Sequence, residues 1–308
     1  MKQTRRELMQ SVGAMLAAPA IVKARPAAQR YPIGFSTLGC PKWDWKTILD
    51  NAARWGFAAF ELRGLQGEMD LTKRPEFSAG RIGQSLQDLA ALNLRITDLG
   101  ASARMHEPEA AKRKEQLDEG RRFIDLAHKL KSPYVRVFGD QWVAGEAHAV
   151  TMERIVGGLR ELGQHAKGSG VGVLLETHGD FTDSSTIAEM IQKAGMPEVA
   201  VLWDAHHTCV AGKEKPADTW KKLGAQVRHV HLKDSVPQGS EVRYVLTGKG
   251  QVPVREIVQV LAAGKYRGWY SLEWEKAWHP EIEEPEVAFP QYAKVMTEYL
   301  KEAGIKAG

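Results

Sequence analysis

The chain has 308 residues, of which 43% are hydrophobic and 26% charged, with a net charge of +4. That is enough apolar material for one large core or two modest ones, and the near balance of charge excludes the basic bias of a nucleic-acid-binding protein. The 29 glycines and 14 prolines are spread along the chain, so no low-complexity linker divides it.

The first thirty residues, MKQTRRELMQSVGAMLAAPAIVKARPAAQR, stand apart. Charges lead into a short apolar stretch from Ser11 to Ala18 and then into Ala18-Pro19-Ala20. This is the layout of a secretory signal, and the apolar run falls far short of the roughly 20 residues that span a membrane, so no stable membrane anchor is expected. Thr4-Arg5-Arg6-Glu7-Leu8-Met9 resembles the twin-arginine export motif. That resemblance implies a periplasmic or secreted protein, cut after Ala20 or Ala24, with one domain over 31–308. Only Cys40 and Cys209 are present. They fall on distant elements, and no structural disulfide is expected.

After Arg30, short β-branched runs alternate with amphipathic ones. Strands are predicted over 31–36, 58–64, 94–100, 134–140, 172–179, 199–206, 227–234 and 269–275. Helices are predicted over 45–56, 81–93, 115–131, 151–170, 184–195, 216–225, 254–264 and 285–304. In the fourth helix Ile155, Leu159, Leu162 and Ala166 keep helical spacing, and Gly168 and Gly170 end it. Strict alternation implies a parallel sheet, and eight units is the number that closes a single (β/α)8 TIM barrel. A doubly wound open sheet would show a glycine-rich turn after the first strand. The turn here, FSTLGCPKWDW, has no G-x-G-x-x-G.

In such barrels the chemistry sits at the C-terminal ends of the strands. Those ends carry, in order, Glu61, Asp98, Arg136, Glu176, Asp204, His231 and Glu273. Period-two alternation puts Leu174 on the inward face with Glu176, and Val227, His229 and Lys233 on the inward face with His231. Three carboxylates and an imidazole at one mouth would repel unless a cation held them. Two Glu, one Asp and one His form an oxygen-rich site suited to Mn²⁺ first, with Mg²⁺, Co²⁺ or Zn²⁺ as other candidates.

The stretches LLETHGDF, LWDAHH, HVHLKDS and SLEWE resemble the metal motifs of the xylose isomerase-like barrels, from about Tyr31 to Leu300. That group includes ketose 3-epimerases, hydroxypyruvate isomerase and inosose dehydratase. The resemblance implies Glu176, Asp204, His231 and Glu273 as ligands of one divalent cation, His207 as a substrate contact, and Glu176 with Glu273 as the catalytic pair. His206 receives no ligand role.

A metal that chelates a sugar's carbonyl and neighbouring hydroxyl acidifies the adjoining C–H bond, which a carboxylate can then break. With a second carboxylate on the other face the outcome is isomerisation or epimerisation of a small sugar or keto-sugar, the main expectation. The alternative is a metal-dependent lyase or dehydratase acting on keto-sugars or keto-glycosides, in which a β-substituent leaves after the same proton abstraction. Lys233 and His178 are candidate oxyanion stabilisers. Arg136 and Glu61 are candidate hydroxyl contacts, and His106 a residue lining the mouth. Endonuclease IV shares the fold and several ligands, but its Asp-Arg-His after the seventh strand is replaced here by Val242-Arg243-Tyr244. No nucleic-acid partner is expected, and a homo-oligomer is left open. Replacing Arg5 and Arg6 together by Lys is expected to hold the precursor in the cytoplasm, because paired guanidinium groups mark the export route. Cell fractionation checks this, and unchanged periplasmic accumulation would remove the export reading.

Overall fold

The structure, a computed structural model, describes residues 29–308. Arg5, Arg6 and both expected cleavage points lie outside the described residues. The barrel strands are β1 (Ile33–Phe35), β2 (Ala59–Leu62), β3 (Arg95–Arg104), β4 (Tyr134–Phe138), β5 (Gly172–Glu176), β6 (Val199–Asp204), β7 (Val227–Leu232) and β10 (Tyr270–Leu272). They form one sheet in the order β1-β10-β7-β6-β5-β4-β3-β2. A parallel bridge from Ser36 to Glu61 and the Ala58 N–H donating to Ile33 O at 3.1 Å bring β1 and β2 together, nearly closing the barrel. The TIM barrel expected from the alternation is therefore observed.

Around it run α1 (Trp45–Arg54), α2 (Ile82–Ala91), α3 (Ala110–Leu130), α4 (His148–Ala166), α5 (Ser184–Ala194), α7 (Pro216–Leu223), α8 (Val254–Ala263) and α9 (Pro285–Glu302). Local chemistry sets several of their ends. Asp44 caps α1 by accepting from the Thr47 N–H at 2.8 Å, and Asp183 caps α5 by accepting from the Thr186 N–H at 2.8 Å. Phe289 of α9 packs on Phe35, Phe57, Trp43 and Trp55, sealing the last helix against the first strand. Arg30 already belongs to the folded body. Its guanidinium donates to Phe57 O and Leu92 O, and its backbone pairs with Gly308.

Alternation splits the core into two layers. Val173 and Leu175 join the large cluster between sheet and helices, while Leu174, Ala200 and Leu202 form a small separate cluster inside the barrel. Val227, expected inward with His231, instead joins the outer cluster. The cause is a register shift in the β6–β7 pairing, where Val201 pairs with Val227 but Leu202 pairs with His229.

Two elements were not expected. Residues predicted to end the sixth strand form a short helix, α6 (Ala205–Val210), and an antiparallel hairpin, β8 (Asp234–Gln238) with β9 (Glu241–Val245), follows β7 directly. The buried Asp234 carboxylate anchors this hairpin by accepting the N–H groups of Ser235, Gly248, Gly250 and Val252 at 2.9–3.1 Å. Gly250 is required there, since a Cβ would lie 2.1 Å from Asp234 Oδ1. Among the described residues no helix is long and apolar enough to cross a membrane. Cys40 and Cys209 are both free. Asp234→Ala would leave these buried N–H groups unpaired, at about 3 kcal/mol. The expected fall in thermal midpoint is roughly 6–12 °C by scanning calorimetry, with Asp234→Asn intermediate.

Candidate metal centre

The C-terminal strand ends bring Glu176, Asp204, His231 and Glu273 together, all buried, with one ligand atom from each lying within 4.8 Å of the others. Each is placed by its own local device. Asp204 ends β6 and caps α6, its Oδ1 accepting the N–H of His206 at 2.9 Å and of His207 at 3.1 Å. Thr177 Oγ1 fixes the same residue from just past the end of β5 by accepting the Asp204 N–H at 2.9 Å. This leaves Asp204 Oδ2 for the cluster. His231 is divided in the same way. Nε2 is bonded to Glu61 Oε2 at 2.5 Å, while Nδ1 faces Glu176 Oε1 at 3.4 Å and Glu273 Oε1 at 3.3 Å.

Glu61 therefore stands differently from its expected role as a hydroxyl contact. It is fully buried, accepts from Ser36 Oγ at 2.8 Å and orients His231 from behind. That is the position of a group that aims a metal-binding imidazole. His229, one pleat deeper, has Nε2 3.2 Å from Asp98 Oδ1.

Two cations with fixed positions serve the acids. Arg136, bonded to Ala101 O, places Nε 3.1 Å from Glu176 Oε2, so its role is toward Glu176. Lys233 Nζ lies 2.8 Å from Asp204 Oδ2 and 2.7 Å from Glu275 Oε1, and is also paired with Glu273. Glu275 was missed from the sequence, although it stands two residues after Glu273 and alternation alone would have placed it on the same face. His207 joins the group, with Nε2 3.4 Å from both Lys233 Nζ and Asp204 Oδ2. His178 packs edge-on against His207 at 4.9 Å and against Phe138 at 4.7 Å. Gly179 holds that loop in place, for its backbone is left-handed and a Cβ would meet Asp140 O at 2.0 Å. His106 lies outside the group of four, its ring 3.8 Å from Asp140 and 3.4 Å from Gln141.

Burial and charge compete at every group. Burial pushes Asp204 up to about 7 despite the pull of Lys233. Burial would raise Glu61 as well, but the charge and hydrogen bond of His231, with Arg136, bring it down to about 2. Burial opposes the charged forms of His231 and Glu273, yet each holds the other ionised, the imidazole well above its usual range and the carboxyl well below. Burial and then Lys233 lower His207, and lower His206 to about 3, which favours the neutral imidazole at each.

A divalent cation fits this donor set. Glu176 Oε1 and Oε2, Asp204 Oδ2 and His231 Nδ1 are all buried and meet their neighbours only as ion-pair contacts, with no well-aligned hydrogen bond. Such atoms are costly unless something else satisfies them. Three carboxylates and one imidazole supply what a hard or borderline divalent ion takes.

Residues 49–299 match the xylose isomerase-like TIM barrel family, and the chain belongs to it. An inosose dehydratase from Clostridium botulinum (strain Alaska E43 / Type E3) is 28% identical over 166 residues, 48% of this chain and 53% of that protein. The chain thus spans about half the length of the curated relatives it matches. A probable 3-DHS dehydratase involved in petrobactin synthesis in Bacillus anthracis superposes with a TM-score of 0.72 at 18% identity, over 86% of this chain and 98% of that one. A 3-keto-D-glucoside 4-epimerase from E. coli gives 0.70 at 15% identity, over 88% and 100%. At these identities the two structures share the fold.

One divalent ion per chain is expected, with Glu176→Gln, Asp204→Asn and His231→Ala each weakening its binding. Glu61→Gln should weaken it about 10–100-fold with all four ligands intact. Asp204 at about 7 and the raised His231 must both lose protons before ligation. Affinity is therefore full only above both values and declines as pH falls through the His231 step, with a further loss through about 7 as Asp204 takes up its proton. Calorimetric Mn²⁺ titrations at several pH values read both effects, and pH-independent binding would contradict the assignment.

Proposed function

We propose that this member of the xylose isomerase-like TIM barrel family is a divalent-metal-dependent lyase, with Mn²⁺ as the expected ion. It would act on a cyclic keto-sugar or keto-polyol, removing the proton beside the carbonyl and expelling the oxygen substituent on the next carbon. When bound, the ion supplies Lewis acidity toward a carbonyl and its neighbouring hydroxyl. Glu176, Asp204, His231 and Glu273 would hold it.

The observation that carries this reading is the unlike character of the two cations. Glu176 faces Arg136, whose guanidinium does not give up its proton. Glu273 faces Lys233, whose ammonium, held charged against burial by Asp204, Glu273 and Glu275, can pass a proton to an oxygen as basic as a departing alkoxide, and which touches His207 as well. A two-base epimerase needs like carboxylates on opposite faces. An elimination needs a base on one side and proton-bearing groups on the other. Glu176, held ionised beside Arg136, suits the base. Lys233 suits proton donation to the leaving oxygen, which gains negative charge as its bond to carbon breaks, with neutral His207 as a hydrogen-bonding neighbour. The dehydratase among the relatives points the same way, although it matches over only half its length. The sequence alone favours epimerisation as the main outcome, and these observations move the weight to elimination.

Mn²⁺-loaded protein in heavy water is expected to convert a cyclic keto-polyol to an unsaturated ketone with release of water. Glu176→Gln should lower turnover at least about 100-fold. Lys233→Arg keeps the charge but not the transferable proton, so it should slow release far more than it slows deuterium exchange beside the carbonyl. Deuterium appearing at an inverted centre with nothing released would establish an epimerase instead.

A further inference from the structure

A cleft of about 690 Å³ lies between α6 and the β8–β9 hairpin, within the size range of small-molecule sites. His207 is shared between this cleft and the metal centre. It lines the cleft, and it stands 3.4 Å from both Lys233 Nζ and Asp204 Oδ2. Tyr244 and His279 form one wall as an edge-on aromatic pair with centroids 5.0 Å apart. Val210 and Val242 supply apolar surface. At His206 the buried Nδ1 has no hydrogen-bond partner, while Nε2 is tied to Ser235 Oγ at 2.9 Å.

The cleft is built on rigid parts. Asp234 locks the hairpin through four backbone N–H groups. Lys276 pins the loop that carries His279, donating to Pro280 O at 2.7 Å and to Ile282 O, and pairing with Glu284. Trp278, beside His279 in that loop, is 58% exposed, the largest apolar side chain left open among the described residues.

We propose that this cleft receives a ring-shaped leaving group, so that the substrate is a keto-glycoside rather than a free keto-sugar or cyclitol. Aromatic walls stack on flat or C–H-bearing ring faces. This deepens the lyase reading and rests on it. The step balances without an oxidant. The carboxylate takes the proton from the carbon between the carbonyl and the glycosidic carbon, and that C–H pair becomes the new C=C bond. The glycosidic C–O bond breaks with its pair on oxygen, and that oxygen takes up one proton. The products are an unsaturated keto-sugar and a free alcohol.

The test uses Mn²⁺-loaded protein and 3-keto-glucosides carrying methyl, cyclohexyl, phenyl and glucosyl groups. Val210→Trp and Val242→Trp fill the cleft from two different elements, and Trp278→Ala removes the exposed ring. The filling variants should lower kcat/KM on the cyclic leaving groups about tenfold or more, and on the methyl substrate by less than about threefold. Preference for phenyl would identify an aromatic aglycone, and preference for glucosyl a second sugar. Calorimetric binding of phenyl β-glucoside, which has no keto group to react, should weaken in the same variants. Equal loss on methyl and ring substrates, or unchanged phenyl glucoside binding in both filling variants, would overturn the proposal. No elimination from any keto-glycoside, with that binding still lost in the variants, would overturn the lyase reading and leave the cleft as a ring-binding site.

Discussion

Five carboxylates (Glu61, Glu176, Asp204, Glu273 and Glu275) are buried at one end of a barrel, and everything around them answers that charge. Burial alone would neutralise each acid. Arg136, Lys233 and His231 hold most of them ionised, and the atoms that lack a well-aligned hydrogen bond are the ones a divalent ion would take. Apolar residues inside the barrel are correspondingly few. Leu174, Ala200 and Leu202 fill the interior below the cluster, and the large side chains go to the layer between sheet and helices.

The scaffold and the site are made from the same side chains. Asp204 uses one oxygen to start a helix and turns the other to the cluster. His231 uses one nitrogen on Glu61 and presents the other to Glu176 and Glu273. A bond on one side of each group fixes the direction of the other side, which is how a buried site keeps its geometry before any ligand arrives. The same economy means that a variant at Asp204 also disturbs α6, so lost activity there reports on both roles.

Much of this was legible in the sequence, for a physical reason. Barrel strands obey a period of two, and Glu176 falls inward because Val173 and Leu175 must face the helices. What alternation could not show is a change of the period itself. Val227 escaped because the register shifts beside it, and His206 because Asp204 begins a helix where the apolar run suggests more strand. The hairpin was hidden because Pro237 sits within β8, where proline argues against a strand, and because its anchor, Asp234, bonds to residues 14 to 18 positions away. Glu61 was found as a polar strand end, but its distance from the ligand atoms is a property of three-dimensional depth, which spacing does not carry.

The passage from Val227 to Asp234 joins the two halves of the molecule's chemistry. His229, His231 and Lys233 alternate onto the interior, and the next residue, Asp234, puts its carboxylate under the hairpin instead. An ammonium among acids and a carboxylate among N–H groups thus stand side by side, each where its charge is favourable. A slip of one residue would exchange them, leaving a carboxylate among carboxylates and an ammonium against backbone donors. Both placements would be unfavourable at once. The register that seats His231 and Lys233 at the metal centre is therefore the same one that fixes the wall of the neighbouring cleft, and neither can move without the other.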